Sequence, residues 1–325
     1  MSVTRSAVTG VGAYLPEDVV TNADLARIVD TSDEWIQERT GIKERRRARP
    51  DQPTSDLATE AARRALVAAG REPADVDLIV VATTTPDMTF PATAAIVQRK
   101  LGAGVCTAFD VQAVCSGFVY ALSVADGFVA RGLAKCAVVI GAEEMTRLMD
   151  WSDRGTCVLF GDGAGAVVLE PVEGVGDTSD RGLLGFALRC DGSKTDLLYV
   201  DGGPSTTGQV GHLRMAGNQV FRHAVVNIAE AVEAACKAAG IAVSDVDWFV
   251  PHQANQRIIK GVGDRLGLDE SKVVSTVALH ANTSAASIPL ALSVAIEDGR
   301  IKSGDLVLLE AMGGGLTWGA CAIRM

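Results

Sequence analysis

No apolar run in this chain reaches the ~18 residues that a membrane-crossing helix needs. The first ten residues, M-S-V-T-R-S-A-V-T-G, hold no apolar signal segment, so a cytoplasmic protein is the expectation. Paired thiols are missing as well. The seven cysteines, at 106, 115, 136, 157, 190, 236 and 321, are odd in number and scattered, with no C-x-x-C pair for zinc or redox work. Reduced thiols and no metal site are expected. There is no basic surplus: a formal net charge of −10 argues against general nucleic-acid binding, and any basic patch must be local. Neither a P-loop nor an H-E-x-x-H occurs. Two glycine clusters imitate dinucleotide fingerprints without their context. G-V-G-A-Y-L-P at 10–16 lacks the third glycine and carries Pro16, and G-D-G-A-G-A at 161–166 runs into a strand. Turning and close backbone packing are their expected uses.

What is present is a globular chain of 325 residues, 48% hydrophobic and 22% charged, with 34 glycines spread along it. Its length suits two domains or one large duplicated one. Comparing the chain with itself favours duplication. A-A-G-R-E-P-A-D-V-D-L-I-V-V, from Ala68, recurs as A-A-G-I-A-V-S-D-V-D-W-F-V-P, from Ala238, an offset of 170 residues. The same offset carries A-K-C-A-V-V-I-G-A-E, from Ala134, onto G-D-L-V-L-L-E-A-M-G, from Gly304. Each unit reads as an alanine-rich helix, a turn and a short buried strand, the pattern of α/β layers. Halves of 1–172 and 173–325 follow, joined by P-V-E-G-V-G-D-T-S-D-R-G at 171–182. If the halves pack face to face, equivalent helices meet near the centre.

Cys115, in D-V-Q-A-V-C-S-G-F-V-Y-A-L, stands where a strand hands over to an apolar helix. A thiol at a helix N-terminus is easier to ionise. On that stretch alone, ordinary core packing is the stronger reading. The same offset carries Cys115 onto Ala285 within H-A-N-T-S-A-A-S-I-P-L, so a site between the halves is in view. A-V-C-S-G lacks the first glycine of a nucleophile elbow. His252 ends the strand V-D-W-F-V, where α/β layers tend to place ligand chemistry, although a lone histidine is more often structural. Asn282 has helix capping as its commoner use.

A-V-C-S-G-F, P-H-Q-A-N-Q-R-I, A-N-T-S-A-A-S-I-P and G-G-G-L-T-W-G, in this order, resemble the β-ketoacyl-acyl-carrier-protein synthase III family, condensing enzymes that start bacterial type II fatty-acid synthesis. The likeness extends from D-E-W-I-Q-E-R-T-G-I at 33–42 through D-R-G-T at 153–156 to the last residues. It implies an α/β chain with the thiolase-like five-layered αβαβα fold built from two duplicated halves, the first carrying the nucleophilic cysteine and the second the histidine and asparagine. Cys115, His252 and Asn282 would form the triad. Cys115 would take the acyl group of an acyl-CoA, acetyl-CoA being the expected starter, with branched and longer ones left open. Malonyl-acyl-carrier protein would then lose CO2, and His252 and Asn282 would hold the enolate oxygen. Backbone N–H groups of Cys115 and Gly314 would hold the acyl oxygen.

The resemblance also implies that Trp35 and Arg154 sandwich the CoA adenine, that Arg39 contacts CoA, and that Gly217, Asn218 and Asn255 line the pantetheine tunnel. Phe90 would close the acyl pocket of the neighbouring subunit in a homodimer. Core packing for Trp35 and a surface ion pair for Arg154 are the readings without it. Arg257, Lys260 and Arg265, on the helix after His252, fall at about 0°, 300° and 80° around its axis, one broad face. With Arg222 they would dock the acidic carrier protein. No resident cofactor is expected, acyl-CoA being a substrate. Cys321 is read as strand packing, and His280, where an aromatic residue or glycine was expected, as packing beside the site. A cysteine acyl-CoA hydrolase is disfavoured because nothing marks a water-activating base. A non-catalytic subunit is disfavoured by the presence of Cys115. A polyketide or quinolone starter enzyme is the runner-up.

Overall fold

The protein is described by a computed structural model covering residues 2–325. The first half runs β1 (Val3–Tyr14), β2 (Asp18–Thr21), α1 (Asn22–Leu25), α2 (Asp33–Thr40), β3 (Glu44–Arg47) and α3 (Thr54–Ala69). It continues with β4 (Leu78–Ala82), α4 (Thr93–Leu101), β5 (Thr107–Val111), α5 (Gly117–Ala130), β6 (Ala137–Glu144) and β7 (Asp162–Gly174). The second half has β8 (Gly182–Cys190), β9 (Leu198–Val200), β10 (Leu213–Met215), α6 (Gly217–Ala239) and β11 (Trp248–Pro251). Then follow α7 (Gln256–Leu266), α8 (Val277–His280), α9 (Ser287–Glu297), β12 (Leu306–Gly313) and β13 (Thr317–Arg324).

Two sheets carry the architecture, and the second repeats the first. The order is β1-β7-β6-β4-β5 in one and β8-β13-β12-β11 in the other. In the first, β4 is parallel to β5 and β6, whereas β7 is antiparallel to β6 and β1. In the second, β11 is parallel to β12, whereas β13 is antiparallel to β12 and β8. A parallel bridge from Phe249 to Val273 stands where the fifth strand would be. The 170-residue offset is therefore a duplication in three dimensions.

Local sequence explains each layer. L-I-V-V-A of β4 is buried at all five positions, as a parallel strand covered on both faces must be. α3 buries Leu57, Ala58, Ala61, Ala62, Ala65 and Leu66 along one stripe and stops at Gly70, whose φ of 64° suits a residue without Cβ. α5 buries half of its residues and α9 most of its own because they lie between the sheets. Phe118 and Leu122 of α5 and Leu292 of α9 share one apolar cluster with Val80 and Val139 of the first sheet and Val307 and Leu309 of the second. α3 and α4 cover the outer face of the first sheet, α6 and α7 that of the second. The result is five layers, αβαβα, with a core common to both halves.

The segment 171–182 is not all linker. β7 keeps pairing with β1 as far as Val3 opposite Gly174, so residues 171–174 finish a strand. The turn after it is held by Asp180, which accepts from the Val175 and Gly176 amides and pairs with Arg5. Gly10 and Gly12 lie against α3, where a Cβ would come within 2.2 and 2.3 Å of the Ala65 backbone. Gly141 is pressed against the other half in the same way, 2.2 Å from the Ala285 carbonyl oxygen for an added Cβ. Gly141→Ala should therefore lower the melting temperature and cost about 1–3 kcal/mol or more, as overpacking of a rigid core does. Gly127 of α5, with nothing within 4 Å of an added Cβ, is its control. There Ala should gain about 0.5–1 kcal/mol through helix propensity. Thermal unfolding of the two variants beside the parent checks both signs.

Candidate active site

Cys115 sits in a single 3₁₀ turn, Val114–Ser116, that leads into α5. The turn starts with Val114 at φ 50°, in the left-handed region that a β-branched residue avoids. Gly313 follows from this placement: its added Cβ would lie 2.5 Å from the Cys115 nitrogen, so only glycine lets the Gly313-Gly314-Gly315 run lie on that peptide. The thiol is 4% exposed. Burial pushes it up to about 12; the Ser284 hydroxyl and the thiol's own backbone N–H oppose the rise, and the Glu143 carboxyl adds to it. Desolvation is thus the largest influence on the thiol in this position and favours its protonated form.

His252 follows directly on β11. Its backbone N–H donates to the Glu310 carbonyl at 2.8 Å, which ties it to β12. Its ring Nδ1 lies 2.6 Å from Ser287 Oγ at the start of α9. Burial alone holds the ring down to about 3, so the imidazole is neutral.

Asn282 is fixed by its backbone, whose N–H donates to Leu159 and whose carbonyl accepts from Gly161. Its Oδ1 accepts from the Ser284 amide at 2.9 Å, a turn contact two residues on; neither the following 3₁₀ turn nor α9 is capped by its side chain. With Oδ1 occupied, the Nδ2 donors are left for the cavity. Cys115, His252 and Asn282 line one cavity of about 250 Å³ together with Glu310.

Four polar groups around the triad escaped the motifs. Ser284, at φ 50°, donates at 3.0 Å to Glu143, whose carboxyl also accepts from the Thr84 amide and the Thr85 hydroxyl. Burial raises the Glu143 pKa against those bonds. Glu310 is fully buried, with Oε2 unpartnered, and burial pushes it up to about 8. Ser287 is the fourth. A signal existed for the two carboxyls, since each interrupts a strongly apolar strand pattern, in V-V-I-G-A-E and L-V-L-L-E. Ser284 and Ser287 lie inside a quoted motif but read there as helix-start residues.

Outward from the triad, Trp35, Arg39, Gly217, Asn218, Asn255 and Arg257 line the same cavity. Arg39 and Arg154 both lie over the Trp35 ring, at 4.7 and 5.0 Å from its centroid. Arg154 donates to the Asp30 carbonyl at 2.8 Å. Asn255 caps α7 by accepting from the Ile258 amide. Gly314 is not among the lining residues; an added Cβ there would meet the Leu198 carbonyl oxygen at 2.7 Å. Arg222, Arg257, Lys260 and Arg265 are exposed. Arg257 stacks on Phe221, the neighbour of Arg222 on α6, while Lys260 is paired with Asp264. Phe90 is not among the residues that line the triad's cavity and is 81% exposed. Its neighbours Met88 and Thr89 border a second, larger hollow of about 980 Å³, which shares Leu198 with the first. Cys321 is fully buried in β13, opposite Leu309 and Phe186. His280, 9% exposed, lies outside the cavity lining, and burial lowers it to about 4.

Residues 109–192 match the 3-oxoacyl-[acyl-carrier-protein (ACP)] synthase III family, and residues 236–325 match that family's C-terminal part. Over 321 residues the chain is 77% identical to the beta-ketoacyl-[acyl-carrier-protein] synthase III of Caulobacter vibrioides, covering 99% of this chain and 100% of the relative. It is 63% identical to that of Rhodospirillum centenum over 98% of this chain and 99% of the relative. Among solved structures, the 3-oxoacyl-[acyl-carrier-protein] synthase III of Aquifex aeolicus superimposes with a TM-score of 0.92 at 47% identity, covering 98% of this chain and 100% of that one. The priming β-ketosynthase of the R1128 polyketide pathway superimposes with a TM-score of 0.92 at 37% identity, covering 98% and 95%. With its five layers and relatives matched from end to end, this chain belongs to the β-ketoacyl-acyl-carrier-protein synthase III family, the thiolase-fold acyltransferases that carry out the initiating condensation of fatty-acid synthesis.

Proposed function

We propose that Cys115, His252 and Asn282 carry a decarboxylative condensation of an acyl-CoA, with acetyl-CoA the expected starter, and malonyl-acyl-carrier protein. In the first half-reaction the Cys115 sulfur attacks the thioester carbonyl, the bond to the CoA sulfur breaks, and the thiol proton ends on CoA. Backbone N–H groups of Cys115 and Gly314 hold the oxyanion, the glycine run lying against the Cys115 peptide. In the second, malonyl loses CO2, and the enolate oxygen accepts from His252 and from Asn282 Nδ2. The enolate carbon attacks the acyl carbonyl, and Cys115 leaves as a thiolate that regains a proton. Fixed donors of this kind are worth about 3 kcal/mol each. The observation that carries this reading is one cavity lined by a buried thiol, a neutral imidazole and an amide whose oxygen is already engaged.

CoA enters along Trp35, Arg39, Arg154, Gly217, Asn218 and Asn255. A base stacked between Trp35 and Arg154 needs about 7 Å, two contacts of about 3.5 Å. The present 5.0 Å means that Arg154 swings aside as the adenine arrives. The reading includes no resident cofactor. It includes a cytoplasmic location, where both thioesters are made. The likeness to the R1128 priming enzyme favours a polyketide starter role as the second reading, but identity of up to 77% to fatty-acid relatives outweighs it.

Separating the half-reactions tests the assignment. Cys115→Ala should abolish acyl-enzyme formation, read by mass spectrometry, and keep CO2 release from malonyl-acyl-carrier protein. His252→Ala and Asn282→Ala should do the reverse, losing about 100-fold or more in CO2 release. Because burial holds His252 neutral down to about pH 3, CO2 release by Cys115→Ala should not decline between about pH 8 and pH 5. An ordinary imidazole, with a pKa near 6.5, would gain its proton there. Acylation surviving in Cys115→Ala would sink the assignment.

The reading also includes a homodimer. An exposed phenylalanine beside a large hollow suits a second copy, and the hollow is bordered by Val114, next to Cys115, and by Leu198. A partner's Phe90 ring in that hollow would close the acyl end of the cavity. Phe90→Thr should therefore shift preference toward longer acyl-CoA substrates; an unchanged chain-length profile removes Phe90 from the pocket.

Docking of the carrier protein rests on Arg257, Arg222, Lys260 and Arg265, on a chain whose net charge of −10 repels an acidic partner on average. Lys260 is the weakest of the four, its charge being offset by Asp264. Exposed charges act on encounter rate and are screened beyond about 8 Å at physiological salt. Arg257→Glu should raise the KM for malonyl-acyl-carrier protein about tenfold, more than it affects acylation by acyl-CoA, and flatten the salt dependence of condensation. Unchanged carrier kinetics from low to high salt would locate the docking surface elsewhere.

A further inference from the structure

Ser287 is buried at 1% exposure and makes two contacts through its hydroxyl. The Gln253 backbone N–H donates to Oγ at 3.3 Å, and His252 Nδ1 lies 2.6 Å from it. Among the described residues no carbonyl or carboxylate accepts from this hydroxyl. A buried O–H must find an acceptor, and Nδ1 is the one in reach. The amide of Gln253 can only donate, which fills an acceptor position on Oγ and leaves the proton to point at the ring. We propose that Ser287 is a positioning residue that donates to His252 Nδ1 and thereby fixes the tautomer in which Nε2 carries the proton.

The duplication gives this pair an independent measure. The 170-residue offset maps Ser287 onto Gly117 and His252 onto Ala82. That counterpart pair is also in contact, an added Cβ on Gly117 falling 3.2 Å from the Ala82 Cβ. The fold therefore brings these two positions together in both halves. Only the second half fills them with a hydroxyl and an imidazole. The ring so held offers an N–H to an enolate oxygen without changing charge, and it has no lone pair at Nε2 with which to take the Cys115 proton.

This inference rests on the proposed role of His252 in decarboxylation, but its first test does not. In protein labelled with ¹⁵N-histidine, the chain's four histidines give few signals, and His252→Ala identifies the one of interest. At neutral pH the native protein should show a protonated Nε2 and an unprotonated Nδ1. A protonated Nδ1 overturns the proposal whatever the enzyme does. Kinetics give the second arm. Ser287→Ala should lower CO2 release from malonyl-acyl-carrier protein about tenfold or more with KM little changed, since a misassigned tautomer removes a fixed donor. Acyl-enzyme formation should stay within about twofold. Ser287→Thr, which keeps the hydroxyl, should recover most of the loss. Native CO2 release in Ser287→Ala, or equal loss of both half-reactions, overturns the positioning role. A native Nε2–H signal with no loss in His252→Ala would retain the tautomer and remove the decarboxylation reading instead.

Discussion

Val114 and Ser284 both sit at φ 50°, 170 residues apart, each opening a 3₁₀ turn that faces the other half at the centre of the molecule. A non-glycine residue held there costs about 1–3 kcal/mol and persists only where its surroundings over-determine it. Here they do. Gly141 lets the Ala285 carbonyl lie against the first sheet, and Gly313 lets the second sheet's last loop lie against the Cys115 nitrogen. Each half thus clamps the other's turn with a strand glycine, Gly141 within β6 and Gly313 at the end of β12. Cys115 follows the first strained residue, and Asn282 and Ser287 flank the second. The strained turns set the geometry of the site, and the glycine contacts hold them.

Burial then decides the chemistry. The cavity holds a thiol pushed up to about 12, an imidazole lowered to about 3 and a carboxyl raised to about 8, so near neutral pH these three groups carry little charge. Preorganised neutral donors in a buried site act strongly on charge that arrives with substrate and need no reorganisation when it does. Such a site stabilises an enolate better than it generates a free thiolate. That balance suits a sequence in which the acyl transfer exchanges one thioester for another, while the decarboxylation creates a new anion.

The parts of this arrangement legible in the sequence are those written in local pattern. The 170-residue offset survives because each buried strand and alanine-rich helix keeps its own periodicity. Cys115, His252 and Asn282 were legible through their flanking residues, as were Trp35 and Arg154, which do share one stack. The bond from Ser284 to Glu143 spans 141 positions, and no periodicity encodes it. Ser287 resembled any residue at a helix start, because its partner arrives from another strand. The burial that raises the Cys115 pKa is hidden from local pattern for the same reason. A helix N-terminus is visible in sequence, whereas the desolvation of the thiol comes from the packing of both halves.

Duplication would by itself yield two sites, and the fold explains why one survives. The offset places Ala285 opposite Cys115, Gln112 opposite Asn282 and Ala82 opposite His252. An added Cβ on Gly117, at the start of α5, would lie 3.2 Å from Ala82 and 3.5 Å from Ala285, so the counterpart site is closed by methyl groups. Neither a thiol nor an imidazole stands at the positions equivalent to Cys115 and His252, where alanine methyl groups take their place. The volume of that closed site contributes to the apolar core that both halves share, with Ala82, Ala285 and Phe118 in one cluster. Filling one of two equivalent cavities lets α5 and α9 pack closely between the sheets while the other stays open to substrate. The polar groups that catalysis needs are thereby confined to one end of the central layer, where each has a hydrogen-bonding partner or faces the cavity.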